Sequence, residues 1–127
     1  MSIKPTVAVI GASSNRSKYG NISVRAHLAQ GYTVYPIHPS ETEIEGLPVF
    51  RSLNDLPEGP LDRISMYVPP QIGLSLLDDI AKANAKEVWF NPGSENDELI
   101  TKAEALGIEP IQACSIVDIG TTPAAFE

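Results

Sequence analysis

The chain has 127 residues, enough for one domain with its own core and too few for two ordinary domains. Its net charge of −7 argues against general affinity for nucleic acids, and its one cysteine excludes a disulfide within the chain. No segment approaches the roughly 20 apolar residues that span a membrane, and the N-terminus lacks the pattern of a signal peptide. We therefore expect a single cytoplasmic domain over residues 1–127, with neither a membrane nor a nucleic-acid partner.

The first 40 residues predict a βαβ unit. Thr6–Ile10 is a continuous apolar run, typical of a strand that is buried on both faces. After a polar loop, Asn21 or Gly20 is expected to cap a helix whose apolar positions are Ile22, Val24, Ala26, Leu28 and Ala29. Tyr32–Ile37 then predicts a second strand. Such a crossover is almost always right-handed, with parallel strands.

Three more strands are predicted, at Ile64–Val68, Glu87–Phe90 and Ile108–Gln112. Ser52 is expected to cap a short helical turn before the first of them. The two intervening helices begin at Pro69-Pro70 and at Asn96. Their expected inward positions are Ile72, Leu76, Leu77 and Ile80 in one helix, and Leu99, Ile100, Ala103 and Leu106 in the other. The segment after Cys114 gives no clear pattern.

The order of these elements predicts an α/β fold with a doubly wound, open, parallel five-stranded sheet, Rossmann-like and three-layered. Ligands of such sheets bind beyond the carboxyl ends of the strands. Here those ends consist of short loops rich in small residues and proline. The sequence therefore predicts a rigid, shallow crevice at this edge of the sheet.

The loop Gly11–Lys18, after the first strand, is the predicted phosphate site. Gly11 permits a tight turn, Ala12 and Ser13 are small, and the following helix N-terminus attracts anions. Arg16 and Lys18 are candidate phosphate contacts, the alternative being that both are solvated surface charges.

The charge distribution favours the same segment. Residues 1–40 hold four basic residues and no Asp or Glu, whereas the rest of the chain holds all 16 acids and five bases. A segment without carboxylates is where an anionic ligand binds at the lowest electrostatic cost. The alternative is a chance absence of acids from a segment that contains two buried strands.

This loop departs from the G-x-G-x-x-G fingerprint of dinucleotide-binding domains, because Ser13 and Arg16 stand at the second and third glycine positions. The end of the second strand also lacks the acid that normally binds a ribose hydroxyl, and Glu41 is the nearest one. We therefore expect NAD or NADP less than another nucleotide.

Four stretches carry a resemblance to a known family: Val7–Ser13, Gly31–Pro39, Ile44–Gly46 and Val88–Phe90. Together they resemble the small CoA-binding domain proteins, which share the fold of the N-terminal domain of the succinyl-CoA synthetase α-subunit. The resemblance extends from Thr6 to Cys114. It implies a module that binds coenzyme A or an acyl-CoA without catalysis. Ligase activity is not expected, because the chain lacks room for the phosphohistidine segment and grasp partner of the synthetase.

The resemblance also implies which residues bind. The CoA pyrophosphate would meet Gly11, Ala12, Ser13, Ser14 and Asn15. The adenosine and the start of the pantetheine arm would lie between His38, Pro39 and Ser40 on one side and Val68, Pro69 and Pro70 on the other. Similar proteins often carry a glutamine where this chain has Asn91 and an arginine where it has Ala113, so its affinity or ligand preference could differ.

The alternative function is a small enzyme that acts on a nicotinamide nucleotide or an acyl-CoA. Cys114, at the end of a strand, would be its nucleophile and His38 its base, although an inert, buried cysteine is the favoured interpretation. A third alternative is an interaction subunit that has lost its ligand. No catalytic residue is assigned, and one cysteine with two distant histidines does not predict a metal site. Exposed sheet edges make a homodimer a reasonable expectation.

Overall fold

A computed structural model, which describes residues 4–126, confirms the predicted α/β fold. The parallel strands are β1 (Thr6–Ile10), β2 (Thr33–Ile37), β5 (Arg63–Met66), β6 (Glu87–Phe90) and β7 (Pro110–Ile111), and a separate hairpin consists of β3 (Glu43–Ile44) and β4 (Leu47–Pro48). The helices are α1 (Tyr19–Ala29), α2 (Pro70–Ala83), α3 (Asp97–Ala105) and α4 (Ser115–Asp118), with 3₁₀ turns at Leu53–Asp55 and Pro123–Phe126. The sheet has the order β2-β1-β5-β6-β7.

The core has two layers, one on each face of the sheet, because neighbouring residues of a strand point to opposite faces. Ala8 and Ile10 of β1 belong to the larger cluster, which α2 and α3 cover. Val7 and Val9 belong to a second cluster on the face that carries α1. The three layers are therefore helices, sheet and helices, as the element order predicted.

Local helix signals were reliable where a cap or a proline marked the boundary. Asn96 Oδ1 accepts a hydrogen bond from the Leu99 N–H (2.9 Å), and α2 begins at Pro70. The Ser52 hydroxyl caps the predicted short turn by accepting the Asn54 N–H at 3.2 Å. These predictions are confirmed.

The predicted start of α1 is wrong. The helix begins at Tyr19, after Lys18, and neither Gly20 nor Asn21 caps it. Asn21 lies inside the helix and is fully buried, with its Nδ2 donating to the carbonyl oxygen of Ser13 at 2.8 Å. The side chain thus stabilises the preceding loop from within the helix instead of from its end.

Four apolar positions that the helical pattern predicted are exposed. Ile72 is 49% exposed and Leu106 45% exposed, while Leu28 of α1 is 37% exposed and its neighbour Ala29 is also at the surface. All four lie in terminal turns of their helices or just beyond them, where a helix meets fewer neighbours.

Two further elements have no counterpart among the predicted ones. The β3–β4 hairpin turns at Glu45 and Gly46, both with positive φ (51° and 78°), as a two-residue hairpin turn requires. The C-terminal segment forms α4 and a 3₁₀ turn, and its apolar residues Ile116, Ile119 and Phe126 pack against α1. Within residues 4–126, no helix is both long and apolar enough to cross a membrane.

Candidate ligand-binding site

Gly11 directly follows β1, the strand that lies between β2 and β5 in the sheet. The chain passes from β1 to β2 on one side and β5 lies on the other, so the sheet has its topological switch point beside β1. The Gly11 N–H donates to the carbonyl oxygen of Ile37, the last residue of β2, at 3.3 Å. A Cβ on Gly11 would lie 2.9 Å from the carbonyl carbon of Tyr67, just after β5, and the glycine has φ +88°. Only glycine fits this crossing of backbones.

Gly20 is a second glycine that the crevice requires. It lies in the first turn of α1, and a Cβ there would stand 2.1 Å from the carbonyl oxygen of Gly11. The third glycine of the dinucleotide fingerprint allows the same close packing of helix on strand. Here that function falls nine residues after Gly11 instead of five. Sequence reasoning treated Gly20 only as a possible cap and missed this contact.

Hydrogen bonds within the loop between the two glycines fix its conformation. The Asn15 N–H donates to Ser13 Oγ at 3.0 Å, and the Ser17 N–H donates to Asn15 Oδ1 at 3.0 Å. The Lys18 N–H donates to the Asn15 carbonyl oxygen. These bonds leave Ser14, Asn15, Arg16 and Lys18 at the surface. Ala12, by contrast, is fully buried in the core, so the accessible part of the loop begins at Ser13.

Two carboxylates from later in the chain contact this loop and the helix that follows it. Glu41 Oε2 accepts the Ser14 N–H at 3.1 Å. Glu45 Oε2 accepts from Asn21 Nδ2 at 3.1 Å and lies 3.5 Å from Arg16 Nε. Hydrogen bonding from Ser14 lowers the pKa of the Glu41 carboxyl, so it carries its charge at neutral pH. The separation of charge along the sequence is therefore not maintained in space.

His38 fixes the turn that follows β2. Its Nδ1 accepts the N–H groups of Ser40 (3.0 Å) and Glu41 (2.9 Å), which places the ring proton on Nε2. Nε2 lies 3.7 Å from Glu41 Oε2. Pro39, which is exposed, accepts a hydrogen bond from Arg51 through its carbonyl oxygen at 2.7 Å. The imidazole thus orients the turn, and its Nδ1 is not free to act as a base.

The loop after β5 completes the crevice. A Cβ on Gly11 would lie 3.0 Å from Val68 Cγ1, so Val68 borders the phosphate loop directly. Pro69 precedes α2 and is exposed, and Pro70 is the first residue of that helix. The structure therefore brings together the three predicted loops, Gly11–Lys18, 38–40 and 68–70, at the end of β1.

Asn91 and Ala113, the two departures from similar proteins, lie in different environments. Asn91 is buried, and its Oδ1 accepts the Ser115 N–H at 2.8 Å while its Nδ2 donates to the Met66 carbonyl oxygen at 2.9 Å. Ala113 is exposed. Asn91 therefore joins α4 to the end of β5 instead of presenting a polar group to the crevice.

Cys114 is half-buried and packs beside Ile22 and Ile116, so it is less enclosed than the favoured interpretation expected. Within residues 4–126, no hydrogen bond joins it to His38 and no three His, Cys, Asp or Glu side chains converge as metal ligands.

Two of the cavities share no lining residue. The larger, of 780 Å³, lies at the amino ends of the strands, where Thr6, Thr33 and Lys86 line it. A cleft of 490 Å³ adjoins the phosphate loop and is lined by Arg16, Ser17, Arg25 and Phe126. Basic side chains beside a helix N-terminus suit a phosphate, and they occur at the smaller cleft.

A sequence profile described as the CoA binding domain matches residues 5–120. The chain belongs to the CoA binding domain family. Because the match covers all five strands of the sheet, it includes the whole crevice and each of its three loops.

This CoA binding domain is 28% identical, over 81% of its length, to the ADP-forming acetate–CoA ligase I of Archaeoglobus fulgidus, but it spans only 16% of that enzyme. It is 37% identical to a conserved hypothetical protein from Pyrococcus furiosus, with a TM-score of 0.81 and coverage of 91% of this chain and 99% of that one. The dinucleotide-forming acetyl-coenzyme A synthetase 1 of Ca. Korarchaeum cryptofilum, solved with phosphate and ADP, is 29% identical with a TM-score of 0.71. That match covers 85% of this chain and 25% of the synthetase.

Proposed function

We propose that this CoA binding domain binds coenzyme A or an acyl-CoA as a non-catalytic module, with the pyrophosphate against the Gly11–Lys18 loop. The observation that carries the proposal is the convergence of three loops on Gly11 at the switch point of the sheet. In open α/β sheets this is the position where nucleotides bind. The proposal includes a cytoplasmic location, which suits the free thiol of Cys114, and a possible homodimer.

The proposed phosphate contacts combine backbone and side chains. The exposed loop from Ser13 onward lies beside the N-terminus of α1, and Arg16 and Lys18 supply positive charge. The Ser14 N–H becomes available to a phosphate when the ligand displaces the Glu41 carboxylate from it. The turn 38–40 and the loop 68–70 would enclose the adenosine and the start of the pantetheine arm. NAD and NADP fit this proposal less well, because the loop lacks the spacing of the dinucleotide fingerprint.

The geometry favours binding over catalysis. The only histidine at the crevice uses Nδ1 to accept two backbone N–H groups, so a proton-accepting nitrogen is not available without opening the turn. Cys114 consequently has no histidine base within the part of the chain that the structure describes.

The proposal is tested by comparing the binding of several ligands and by removing one charge from the loop. We expect CoA to raise the melting temperature more than NAD, NADP or ATP does. Arg16→Ala should weaken CoA binding about fivefold, because it removes a solvent-exposed, charge-assisted phosphate contact. Calorimetric titration measures the dissociation constants. Lys82→Ala, which removes an exposed charge on α2 far from the loop, is the matched control and should change nothing.

Two results would contradict the proposal. The absence of any thermal response to millimolar CoA would exclude CoA as the ligand. An equal loss of CoA affinity in the Arg16 and Lys82 variants would show that net charge, and not the loop, governs binding.

A further inference from the structure

The Ser14 N–H differs from the other hydrogen-bonded N–H groups of the phosphate loop in where its acceptor comes from. The N–H groups of Asn15, Ser17 and Lys18 donate to acceptors within the loop itself. The Ser14 N–H donates instead to Glu41 Oε2 at 3.1 Å, which belongs to a residue 27 positions later in the chain. The Glu41 side chain can therefore leave this N–H without breaking any of those internal bonds.

Two features hold the Glu41 carboxylate against the loop. The N–H groups of Glu41 and Ser40 donate to His38 Nδ1 at 2.9 and 3.0 Å, which fixes the backbone from which the side chain extends. Hydrogen bonding from Ser14, with a smaller contribution from the positive charge of Lys18, lowers the pKa of the Glu41 carboxyl, so this group is ionised at neutral pH. A charged group on a fixed turn competes for its partner at an effective concentration of roughly millimolar or more.

The carboxylate resembles a ligand's phosphate in its charge and in the group that it binds. Both are anions with acceptor oxygens, and both are stabilised by backbone N–H groups close to the start of a helix. Ser14 is exposed and precedes α1, which begins at Tyr19. One N–H makes one strong hydrogen bond, and two anions in contact repel each other. A pyrophosphate therefore has to displace the Glu41 carboxylate in order to accept the Ser14 N–H.

Glu45, the other carboxylate at this loop, is bonded differently. Its Oε2 accepts from Asn21 Nδ2 at 3.1 Å and lies 3.5 Å from Arg16 Nε. Both partners are side chains, so the departure of Glu45 would free no backbone N–H for a phosphate. Glu41 is therefore the acid that directly occupies a backbone donor of the phosphate loop.

We propose that Glu41 is an intramolecular competitor, which occupies the phosphate loop in the absence of ligand and which the phosphates of a ligand must displace. It thereby raises the ligand concentration at which the crevice fills. The apparent dissociation constant is the intrinsic constant divided by the fraction of molecules in which the Ser14 N–H is free. This inference rests on the proposed function, because it concerns the regulation of the same crevice.

The first test measures the dissociation constant of CoA by calorimetric titration for the parent and two variants that have the same net charge as each other. Glu41→Gln keeps the size of the side chain and removes its charge. It should bind CoA about fivefold more tightly than the parent, because a neutral acceptor competes less well for the Ser14 N–H. Glu43→Gln removes an exposed carboxylate two residues away and is the matched control, which should change the constant by less than about twofold.

The second test needs no ligand and follows the amide proton of Ser14 by NMR. This proton should move upfield in Glu41→Gln relative to the parent, because its hydrogen bond is no longer charge-assisted. In Glu43→Gln it should keep its position. The two tests together separate the contact itself from its effect on binding.

Several outcomes would overturn the inference. If Glu41→Gln binds CoA more weakly than the parent, Glu41 supports the loop instead of competing with the ligand. Equal gains in affinity in both variants would assign the effect to net charge, and an unmoved Ser14 amide proton would exclude the contact. If CoA binds the parent and Glu41→Gln equally, only the role of Glu41 is excluded. If both proteins are folded by circular dichroism and CoA binds neither, the proposed function fails as well.

Discussion

At the scale of single residues, the crevice depends on two glycines, because a Cβ at either position would collide with backbone atoms. Gly11 and Gly20 allow β1, α1 and the segment after β5 to approach within the space that one Cβ would fill. The G-x-G-x-x-G fingerprint expects the close-packing glycine five residues after the first one. The longer loop of this chain places that glycine in the first turn of α1. A glycine early in a helix that follows a strand and a turn at Gly11 is the sequence signal that would have identified it.

Gly20→Ala should lower the free energy of unfolding by about 3 kcal/mol, because the added carbon meets backbone that cannot move aside easily. Gly73→Ala is the matched control. It is also a helical glycine, but its Cβ would lie 3.2 Å from the flexible end of Leu99. The better helix propensity of alanine offsets that contact, so a change below about 1 kcal/mol is expected. Urea unfolding of both variants measures the difference, and equal losses would contradict the packing argument.

At the scale of elements, polar groups join α4 to the end of the sheet. Asn91 follows β6 and connects Ser115, the first residue of α4, to the carbonyl oxygen of Met66. Ser115 Oγ in turn lies 2.7 Å from Ser65 Oγ and 3.1 Å from the hydroxyl of Tyr67, whose pKa is raised by burial. The C-terminal segment is therefore positioned by a buried hydrogen-bond network that no hydrophobic pattern encodes.

Asn91→Ala should lower the free energy of unfolding by about 2–3 kcal/mol, because it leaves the buried N–H of Ser115 and the carbonyl of Met66 without partners. Asn54→Ala, which removes an exposed amide bonded to Asp79, should cost less than about 0.5 kcal/mol. Chemical denaturation distinguishes the two. Hydrogen exchange of α4 should also accelerate in the first variant, and an unchanged exchange rate would show that Asn91 does not hold this helix.

At the scale of the whole molecule, buried polar side chains join the helical layer of α1 and α4 to the amino ends of the strands. Arg63 is buried, and its NH2 group lies 2.9 Å from Glu87 and 2.8 Å from Asp118. His27 is also fully buried, and its Nδ1 lies 2.8 Å from the Ser23 carbonyl oxygen. Burial, with a contribution from the Arg63 charge, lowers the pKa of His27 from 6.5 to about 4.

This pKa makes the fold acid-sensitive. Between pH 6.5 and about 4 the unfolded chain binds a proton at His27 that the folded chain does not, so the free energy of unfolding decreases as the pH falls through this range. From pH 7 to pH 5 the loss due to His27 should be about 2 kcal/mol. His27→Phe keeps an aromatic ring against Tyr32 and removes the titration. Urea unfolding at the two pH values should show a smaller decrease in this variant, and an equal decrease would assign the effect elsewhere.

The homodimer stays a prediction. The structure disfavours its simplest form, in which the edge strands of two copies pair with each other. The outer edge of β2 is partly covered, because Phe50 pairs with Ile37 and its N–H donates to the Pro36 carbonyl oxygen at 2.9 Å. The opposite edge strand, β7, has two residues and includes Pro110. Neither edge offers the long unpaired ladder that strand-to-strand association uses.

The sequence by itself determined the chain order of the five parallel strands and of α1, α2 and α3, the caps at Ser52 and Asn96, and the position of the three loops. These follow from local periodicity and from turn and cap chemistry, which act over a few residues. Only the tertiary structure decided which side chains meet across the chain. Glu41 contacts Ser14 and Glu45 contacts Asn21. The segment that is free of acids in sequence therefore acquires two carboxylates in space, because electrostatic interactions depend on distance between atoms and not on separation along the chain.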